Sequence, residues 1–178
     1  MTTKQQRAQL AEQLKAIFEE HVPFNRFVGF KLASLDPKKP KVRFEMRPEL
    51  IGNPQRQILH GGVIASVLDL MAGVVVHVAL FEKDSEHLVA KDGRPVFANI
   101  GTIDLRVDYL RPGRGAWFEA SGEVVRMGKR IAVAHMRLEN DAGELIATGS
   151  AAYAPNEMIL YKPFIINSPT SDPTPYFS

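Results

Sequence analysis

Residues 59–78 read LHGGVIASVLDLMAGVVVHV, and this stretch decides the fold. It is an almost unbroken apolar run that opens with His60-Gly61-Gly62 and carries a single carboxylate, Asp69. The run predicts a helix from about Gly61 to Phe81, and a helix that is apolar on every side must be buried all round. An aspartate inside such a helix is costly unless it has a partner or a purpose.

The two ends of this run offer complementary chemistry. Paired glycines leave the free backbone N–H groups of the first helical turn open to another molecule, and the positive end of the helix can stabilise a developing oxyanion. Asp69 lies nine residues after His60, about 13 Å of helical rise, which is too far for both to act on one atom. The spacing therefore favours a symmetric dimer in which Asp69 serves a second subunit's site. The plain alternative is a carboxylate that faces water or pairs with an arginine.

Composition limits the class of protein. The chain has 178 residues, 45% of them hydrophobic, which suits one soluble domain. A net charge of +2, with both signs mixed, argues against a dedicated nucleic-acid binder. The absence of cysteine excludes disulfides, thiolate zinc sites and cysteine nucleophiles. Residues 1–14 lack the apolar core of a signal peptide, and Asp69 argues against a membrane span, so a cytoplasmic protein is expected.

The rest of the chain predicts one helix and a set of strands. Apolar spacing indicates an N-terminal helix over Thr3–Glu20, and the segments Arg47–Leu59 and Glu82–Val96 are expected to be loops. The expected strands are Val28–Leu35, Lys41–Met46, Thr102–Tyr109, Trp117–Met127, Arg130–Glu139 and Glu144–Ala154.

These elements predict an α+β architecture, in which an antiparallel sheet of about six strands wraps around one long central helix. We divide the chain into an N-terminal helix packed on the domain (1–22), the domain itself (23–155) and a proline-containing extension (156–178), expected to be an extended arm or disordered.

Several other chemistries lack their sequence signatures. The histidines show no close His-x-x-x-His pair, so no metal site is expected, and His77 is expected to be a core histidine bonded to a backbone carbonyl. Neither a phosphate loop nor a dinucleotide fingerprint is present. Ser66 lies inside the helix without a Gly-x-Ser-x-Gly motif, which argues against a serine hydrolase.

Three segments, 23–26, 58–66 and 101–115, make the chain resemble the hotdog-fold thioesterases of the PaaI type, and among them the bacterial medium/long-chain acyl-CoA thioesterases. The resemblance implies hydrolysis of acyl-coenzyme A to a fatty acid and coenzyme A. It also implies that no cofactor is needed and that the protein is a homodimer, or a dimer of dimers, with sites shared between subunits.

The resemblance assigns roles to five residues. Asp69 matches the acidic residue that acts as general base or nucleophile, and the N–H of Gly62 matches the group that polarises the thioester carbonyl. His60 matches the histidine that holds the thioester and its loop. Asn53 is the nearest match to an asparagine that places the water, although Gly52-Asn53-Pro54 is also an ordinary turn sequence. Thr102 matches an assisting hydroxyl, although a strand threonine is usually structural.

Substrate binding is assigned more broadly. Coenzyme A carries phosphates, so basic side chains are expected at the mouth of the site, although each is also an ordinary surface charge. The expected binding residues are Gly61, Arg106, Arg111, Lys129 and Arg130. The alternatives are an aromatic acyl-CoA thioesterase and a non-catalytic acyl-CoA-binding protein. A hotdog dehydratase is less favoured, because it would place its aspartate and histidine in one short loop.

Overall fold

Six antiparallel strands form one sheet in the order β1-β2-β6-β7-β8-β5, in a computed structural model that describes residues 11–83 and 96–160, the side chains of 96–98 and 155–160 excepted. A separate hairpin pairs β3 with β4. The strands are β1 (Lys31–Ser34), β2 (Lys41–Glu45), β3 (Ile51–Asn53), β4 (Ile58–Leu59), β5 (Val96–Tyr109), β6 (Trp117–Met127), β7 (Ala132–Asn140) and β8 (Leu145–Leu160). The predicted α+β architecture is confirmed.

The central helix, Gly61–Lys83, packs against one face of this sheet. All residues from Met71 to Val78 are buried, as the sequence predicts. The prediction of all-round burial is wrong for the first half of the helix, where Gly62 is exposed and Ser66 and Leu70 are only half-buried. By length and composition the helix could cross a membrane, but 61% of its most apolar window is buried inside the domain, as in the core helix of a soluble protein.

A short helix, Pro23–Val28, replaces the start of the first predicted strand. Proline stands in its first turn, and Gly29 ends it with a φ of 82°, a left-handed conformation that favours glycine. The N–H groups of Gly29 and Phe30 both donate to the Asn25 carbonyl. The strand predicted from Val28 therefore begins only at Lys31.

The predicted loop 47–59 is ordered, and it fixes the approach to the central helix. It contains a 3₁₀ turn, Pro48–Leu50, followed by the β3–β4 hairpin. The N–H of His60 donates to the Leu50 carbonyl at 2.8 Å, and that of Leu59 to the Gly113 carbonyl at 3.0 Å. A Cβ at Gly113 would lie 2.9 Å from that of Leu59, so this contact requires glycine. His60 is thus anchored from two sides.

The later strands follow the prediction closely, with shifts at their ends. β6 has the predicted bounds, and β7 begins at Ala132 because a hydrogen bond of 2.9 Å from the Gly128 N–H to the Ile131 carbonyl closes the hairpin. β8 continues to Leu160, so residues 156–160 of the predicted extension belong to the sheet.

The N-terminal helix is seen from residue 11 and ends in a π-helical turn, Ile17–His21, with Leu14 buried. Residues 1–10, 84–95 and 161–178 lie outside the described part, and with them most of the predicted 82–96 loop and the rest of the predicted extension.

Candidate active site

Asp69 lies half-buried on the central helix, and two hydroxyl groups hold its carboxylate. The Thr102 hydroxyl donates to Oδ1 at 3.0 Å, and the Tyr153 hydroxyl lies 2.6 Å from the same oxygen. No described residue donates to Oδ2. The carboxylate therefore has one oxygen fixed by neutral donors and one oxygen available for chemistry.

The sheet register explains why these two hydroxyls meet at one atom. Thr102 on β5 stands directly opposite Tyr153 on β8, and Tyr153 stands opposite Ala132 on β7. Side chains opposite each other in an antiparallel pair project from the same face. Thr102, Tyr153 and Ala132 therefore form one cross-strand row that faces the helix, and two of its three side chains carry a hydroxyl.

Tyr153 is the site residue that sequence reasoning missed. Burial, reinforced by the hydrogen bond to Asp69, raises the pKa of Tyr153 well above its ordinary value. The phenol is only 4% exposed and stays protonated, so it acts as a hydrogen-bond donor. In the sequence, Tyr153 is the only aromatic residue of the alanine-rich strand segment 145–154, and this pattern alone indicates only that the ring packs in the core.

His60 and the first turn of the helix form the second half of the site. The N–H of Gly62, predicted to polarise a carbonyl, donates to His60 Nδ1 at 2.9 Å. An acceptor at Nδ1 puts the proton of the neutral ring on Nε2, so Nε2–H is the donor that this exposed imidazole presents to solvent. The N–H of Gly61 has no partner among the described residues. The Gly61 N–H is thus an unengaged donor at the positive end of the helix, next to the exposed imidazole.

Tyr109 fastens this turn to the end of β5. Its hydroxyl donates to the Gly61 carbonyl at 3.1 Å, and that carbonyl belongs to the same peptide group as the Gly62 N–H. Ser66 reaches back to the Gly62 carbonyl at 2.7 Å. Both contacts hold the Gly61-Gly62 backbone in place. The Ser66 hydroxyl therefore has a structural role, and no described base activates it as a nucleophile.

The two halves stay apart within one chain. Asp69 contacts Thr102 in the middle of β5, whereas the His60 turn contacts Tyr109 at the C-terminal end of that strand. Asp69 follows His60 by nine positions, which correspond to about 13 Å of helical rise.

Asn53 serves the hairpin turn in this chain. Its side-chain Oδ1 accepts a hydrogen bond of 3.0 Å from the Arg56 N–H, which is the ordinary turn contact expected of Gly52-Asn53-Pro54. The structure therefore supports the turn interpretation, and the assignment of Asn53 to a catalytic water remains a prediction.

The predicted phosphate-binding residues separate into three places. Lys129 and Arg130 are exposed in the β6–β7 turn, next to Ala132 and thus at the Asp69 end of the sheet. Arg111 follows β5 at the His60 end and donates to the Leu145 carbonyl at 2.9 Å. Arg106 lies on the opposite face, where it pairs with Asp108 at 3.1 Å.

That opposite face carries a polar cleft of about 720 Å³, lined by Arg106 and Asp108 among others, and neither Asp69 nor His60 reaches it. The structure thus groups Lys129 and Arg130 with the Asp69 end of the sheet, but not Arg106.

His77, two helical turns beyond Asp69, is confirmed as a core histidine. It is 7% exposed, and its Nδ1 lies 2.8 Å from the Gly73 carbonyl. Within residues 11–83 and 96–160, no three imidazole or carboxylate side chains converge as metal ligands would.

Comparison with known proteins identifies the family. The model of the thioesterase superfamily matches residues 56–147, which is more than half of the chain. The chain belongs to the thioesterase superfamily. This member is 41% identical over 137 residues to the medium/long-chain acyl-CoA thioesterase YigI of Escherichia coli K12, covering 77% of this chain and 88% of YigI.

Two solved structures agree with this thioesterase assignment. A thioesterase-superfamily protein of Shewanella oneidensis is 38% identical, with a TM-score of 0.76 over 87% of this chain and 100% of that one. A candidate thioesterase of Syntrophus aciditrophicus is 39% identical, with a TM-score of 0.71 over 85% and 99%. The predicted hotdog fold is confirmed, and the region that the family model matches contains Asp69, Thr102 and the His60 turn, whereas Tyr153 lies beyond it.

Proposed function

We propose that this thioesterase hydrolyses medium- or long-chain acyl-coenzyme A to a fatty acid and coenzyme A. The observation that carries the proposal is Asp69, a carboxylate on an otherwise apolar helix with Oδ1 held by two hydroxyls and Oδ2 left open. The similarity to YigI supports the choice of substrate. Water is the second substrate, so the reaction needs no cofactor, and we place it in the cytoplasm.

In the proposed reaction, Asp69 Oδ2 takes a proton from a water molecule as the water oxygen attacks the thioester carbonyl. The oxyanion that forms is stabilised by Nε2–H of His60 and the N–H groups of Gly61 and Gly62, since a backbone N–H can divide its bond between two acceptors. Collapse of the intermediate breaks the C–S bond, and the departing thiolate takes the proton from Asp69. If Asp69 instead attacks directly, the acyl group is transferred to its carboxylate as a mixed anhydride and the thiolate departs; single turnover in ¹⁸O-labelled water then leaves the label in the enzyme when water attacks the Asp69 carbonyl carbon.

We further propose that the working unit is a homodimer joined through β5. β5 is an edge strand of 14 residues, and its exposed side chains include Ile103 (54%) and Tyr109 (56%). A long edge of this kind is a template for pairing. The open face of the first half of the central helix, at Gly62, Ser66 and Leu70, would also be covered by a second subunit.

Pairing two β5 edges about a two-fold axis makes the strands antiparallel, and an axis midway between Thr102 and Tyr109 places Thr102 of one strand opposite the partner's Tyr109. Thr102 holds Asp69, and Tyr109 holds the Gly61 turn. The same pairing therefore brings Asp69 towards His60 of the partner subunit. Two such composite sites form in each dimer, and a dimer of dimers would keep both.

In this arrangement Lys129 and Arg130 lie at the Asp69 side of each site, and Arg111 of the partner subunit lies at its His60 side. These three cations are the better candidates for the phosphates of coenzyme A. Arg106, on the opposite face, is the weakest of the four predicted side chains.

A coenzyme-A-release assay with a thiol reagent tests the proposal. The chain contains no cysteine, so every thiol detected is product. The panel is butanoyl-, octanoyl-, palmitoyl- and phenylacetyl-coenzyme A, and we expect the highest kcat/KM with octanoyl or palmitoyl. Preference for phenylacetyl would favour the aromatic alternative. Binding of acyl-coenzyme A without release would make the protein a sensor and overturn the proposal.

A further inference from the structure

Tyr153 makes an unusual pair of contacts with Asp69. Its hydroxyl oxygen lies 2.6 Å from the carboxylate Oδ1 and also 2.6 Å from the backbone carbonyl oxygen of the same residue. A phenol has one proton to donate, so it cannot donate fully to both acceptors at once. Which acceptor receives the proton depends on which is the stronger.

The charge on the carboxylate decides between the two. A hydrogen bond to an ionised group is about twice as strong as one to a neutral group. The ionised Oδ1 is therefore the stronger acceptor, whereas with a protonated carboxyl group the backbone carbonyl competes for the phenol proton. Tyr153 accordingly favours the ionised carboxylate and has a second acceptor when the charge is lost.

We propose that Tyr153 is a positioning residue for the thioesterase reaction: it locks Oδ1 of Asp69, directs Oδ2 to the water and stabilises the carboxylate form that accepts the proton. Thr102 shares the first task from the neighbouring strand but makes no hydrogen bond to the Asp69 carbonyl. This inference rests on the proposed function, since it assigns Asp69 the role of base.

On the described elements that contact Asp69, Tyr153 is its titratable neighbour, and the cations Lys129 and Arg130 are exposed in the β6–β7 turn at the same end of the sheet. Between His60 and His77 the central helix has no other titratable side chain, and His77 is engaged with Gly73. On β8, Tyr153 is the only titratable residue in 145–154.

On β5, no residue in 96–103 is charged, and beyond the irregularity after Thr102 the strand turns its charges away from the helix. Asp104 is exposed there and accepts a hydrogen bond from the Ala152 N–H, and Arg106 and Asp108 line the opposite cleft. In the proposed dimer, His60 of the partner subunit is the added neighbour.

The test is Tyr153→Phe, which removes the hydroxyl and keeps the ring in the core. We expect kcat to fall about tenfold, the scale of one hydrogen bond to a charged group, with KM nearly unchanged. The acid limb of kcat/KM against pH should move about one unit to higher pH, because the carboxylate form is less favoured. In an Asp69→Asn background the same substitution should have almost no further effect on turnover.

A folded Tyr153→Phe enzyme with unchanged kcat and an unmoved acid limb would overturn the inference. So would a fall in kcat without a shift of the limb, since a purely structural role predicts that. If Tyr153→Phe does not fold, 3,5-difluorotyrosine at position 153 replaces it. Its more acidic phenol is a stronger donor, so the limb should move to lower pH, and no movement would contradict the inference.

Measurements on the wild-type protein and on Asp69→Asn test the proposed function separately from the inference about Tyr153. If the wild type releases no coenzyme A, the proposed function fails. If the wild type is active and Asp69→Asn is not, while Tyr153→Phe behaves like the wild type, only the inference about Tyr153 fails.

Discussion

Asp69 and Glu119 are both partly buried carboxylates, and the protein holds them with opposite kinds of partner. Two neutral hydroxyls, from Thr102 and Tyr153, hold Asp69. Two cations hold Glu119: Lys41 at 2.5 Å and Arg43 at 2.8 Å. Both arrangements fix the geometry, but only the second neutralises the charge. Neutral donors thus orient a carboxylate and leave it free to take a proton, whereas cations commit it to structure.

The two carboxylates also sit on different elements. Glu119 lies on β6, across from Arg43 on β2, and the ion pair joins these two neighbouring strands. Burial alone would raise the pKa of Glu119, but the hydrogen bonds and charges of Lys41 and Arg43 outweigh it and hold the pKa below its ordinary value. Asp69 lies on the helix that an incoming substrate would meet. The difference predicts that one carboxylate controls rate and the other controls stability.

Asp69→Asn gives the largest expected effect. It keeps the size and the contacts of the side chain but removes the base, so turnover should fall at least about 100-fold. Coenzyme-A release measures the rate, and circular dichroism checks the fold. Glu119→Gln is the matched control, since it neutralises a carboxylate outside the site, and it should retain wild-type turnover. Near-normal activity in folded Asp69→Asn would show that the carboxylate is not catalytic.

Thr102→Val should have a smaller effect, because Tyr153 continues to hold Oδ1. We expect kcat to fall about threefold to tenfold, on the scale of one partly exposed hydrogen bond, with the melting temperature nearly unchanged. Thr102→Ser keeps the hydroxyl and should restore most of the activity. If the serine variant were as slow as the valine variant, the hydroxyl would not be the feature that matters.

Glu119→Gln should affect stability rather than rate. Its partners are solvent-accessible, so the loss is about 1 kcal/mol or less, or about 2–4 °C in melting temperature at neutral pH. Because the pKa of Glu119 is lowered in the folded protein, its contribution is present above the ordinary glutamate pKa and is lost as pH falls through the lowered value.

Melting curves of wild type and Glu119→Gln should therefore converge at acid pH. A difference that persisted or grew as the pH fell would contradict this sign, and a large loss of turnover in the variant would break the comparison with Asp69.

The sequence predicted the central helix and the sheet better than the contacts within the site. The apolar run and the alternating strands located the central helix and most of the sheet because their periods are local properties of the chain. The helix at Pro23–Val28 was missed even though its signals, Pro23 near the start and Gly29 after the end, are readable. Its last residue, Val28, was taken instead for the start of a strand.

The site depends on contacts that no local pattern encodes. Asp69 was found because a carboxylate is conspicuous in an apolar helix. Tyr153 was not, because its position opposite Thr102 follows from the register of β5 and β8, which only the folded sheet fixes. Arg106 was predicted with the other cations, but the irregularity of β5 after Thr102 places it on the far face of the sheet. The turn role of Asn53 was an open alternative, and its contact with Arg56 favours that role.

Subunit complementation tests the central claim most directly, namely that Asp69 of one subunit acts with His60 of the other. Asp69→Asn and His60→Ala proteins, each nearly inactive alone, are unfolded together, refolded at equal concentrations and assayed for coenzyme-A release. Random pairing makes half of the dimers mixed, each with one intact site, so about one quarter of wild-type activity should return. No recovery, with mixed dimers demonstrated by native mass spectrometry, would place both residues in a site within one chain and contradict the account.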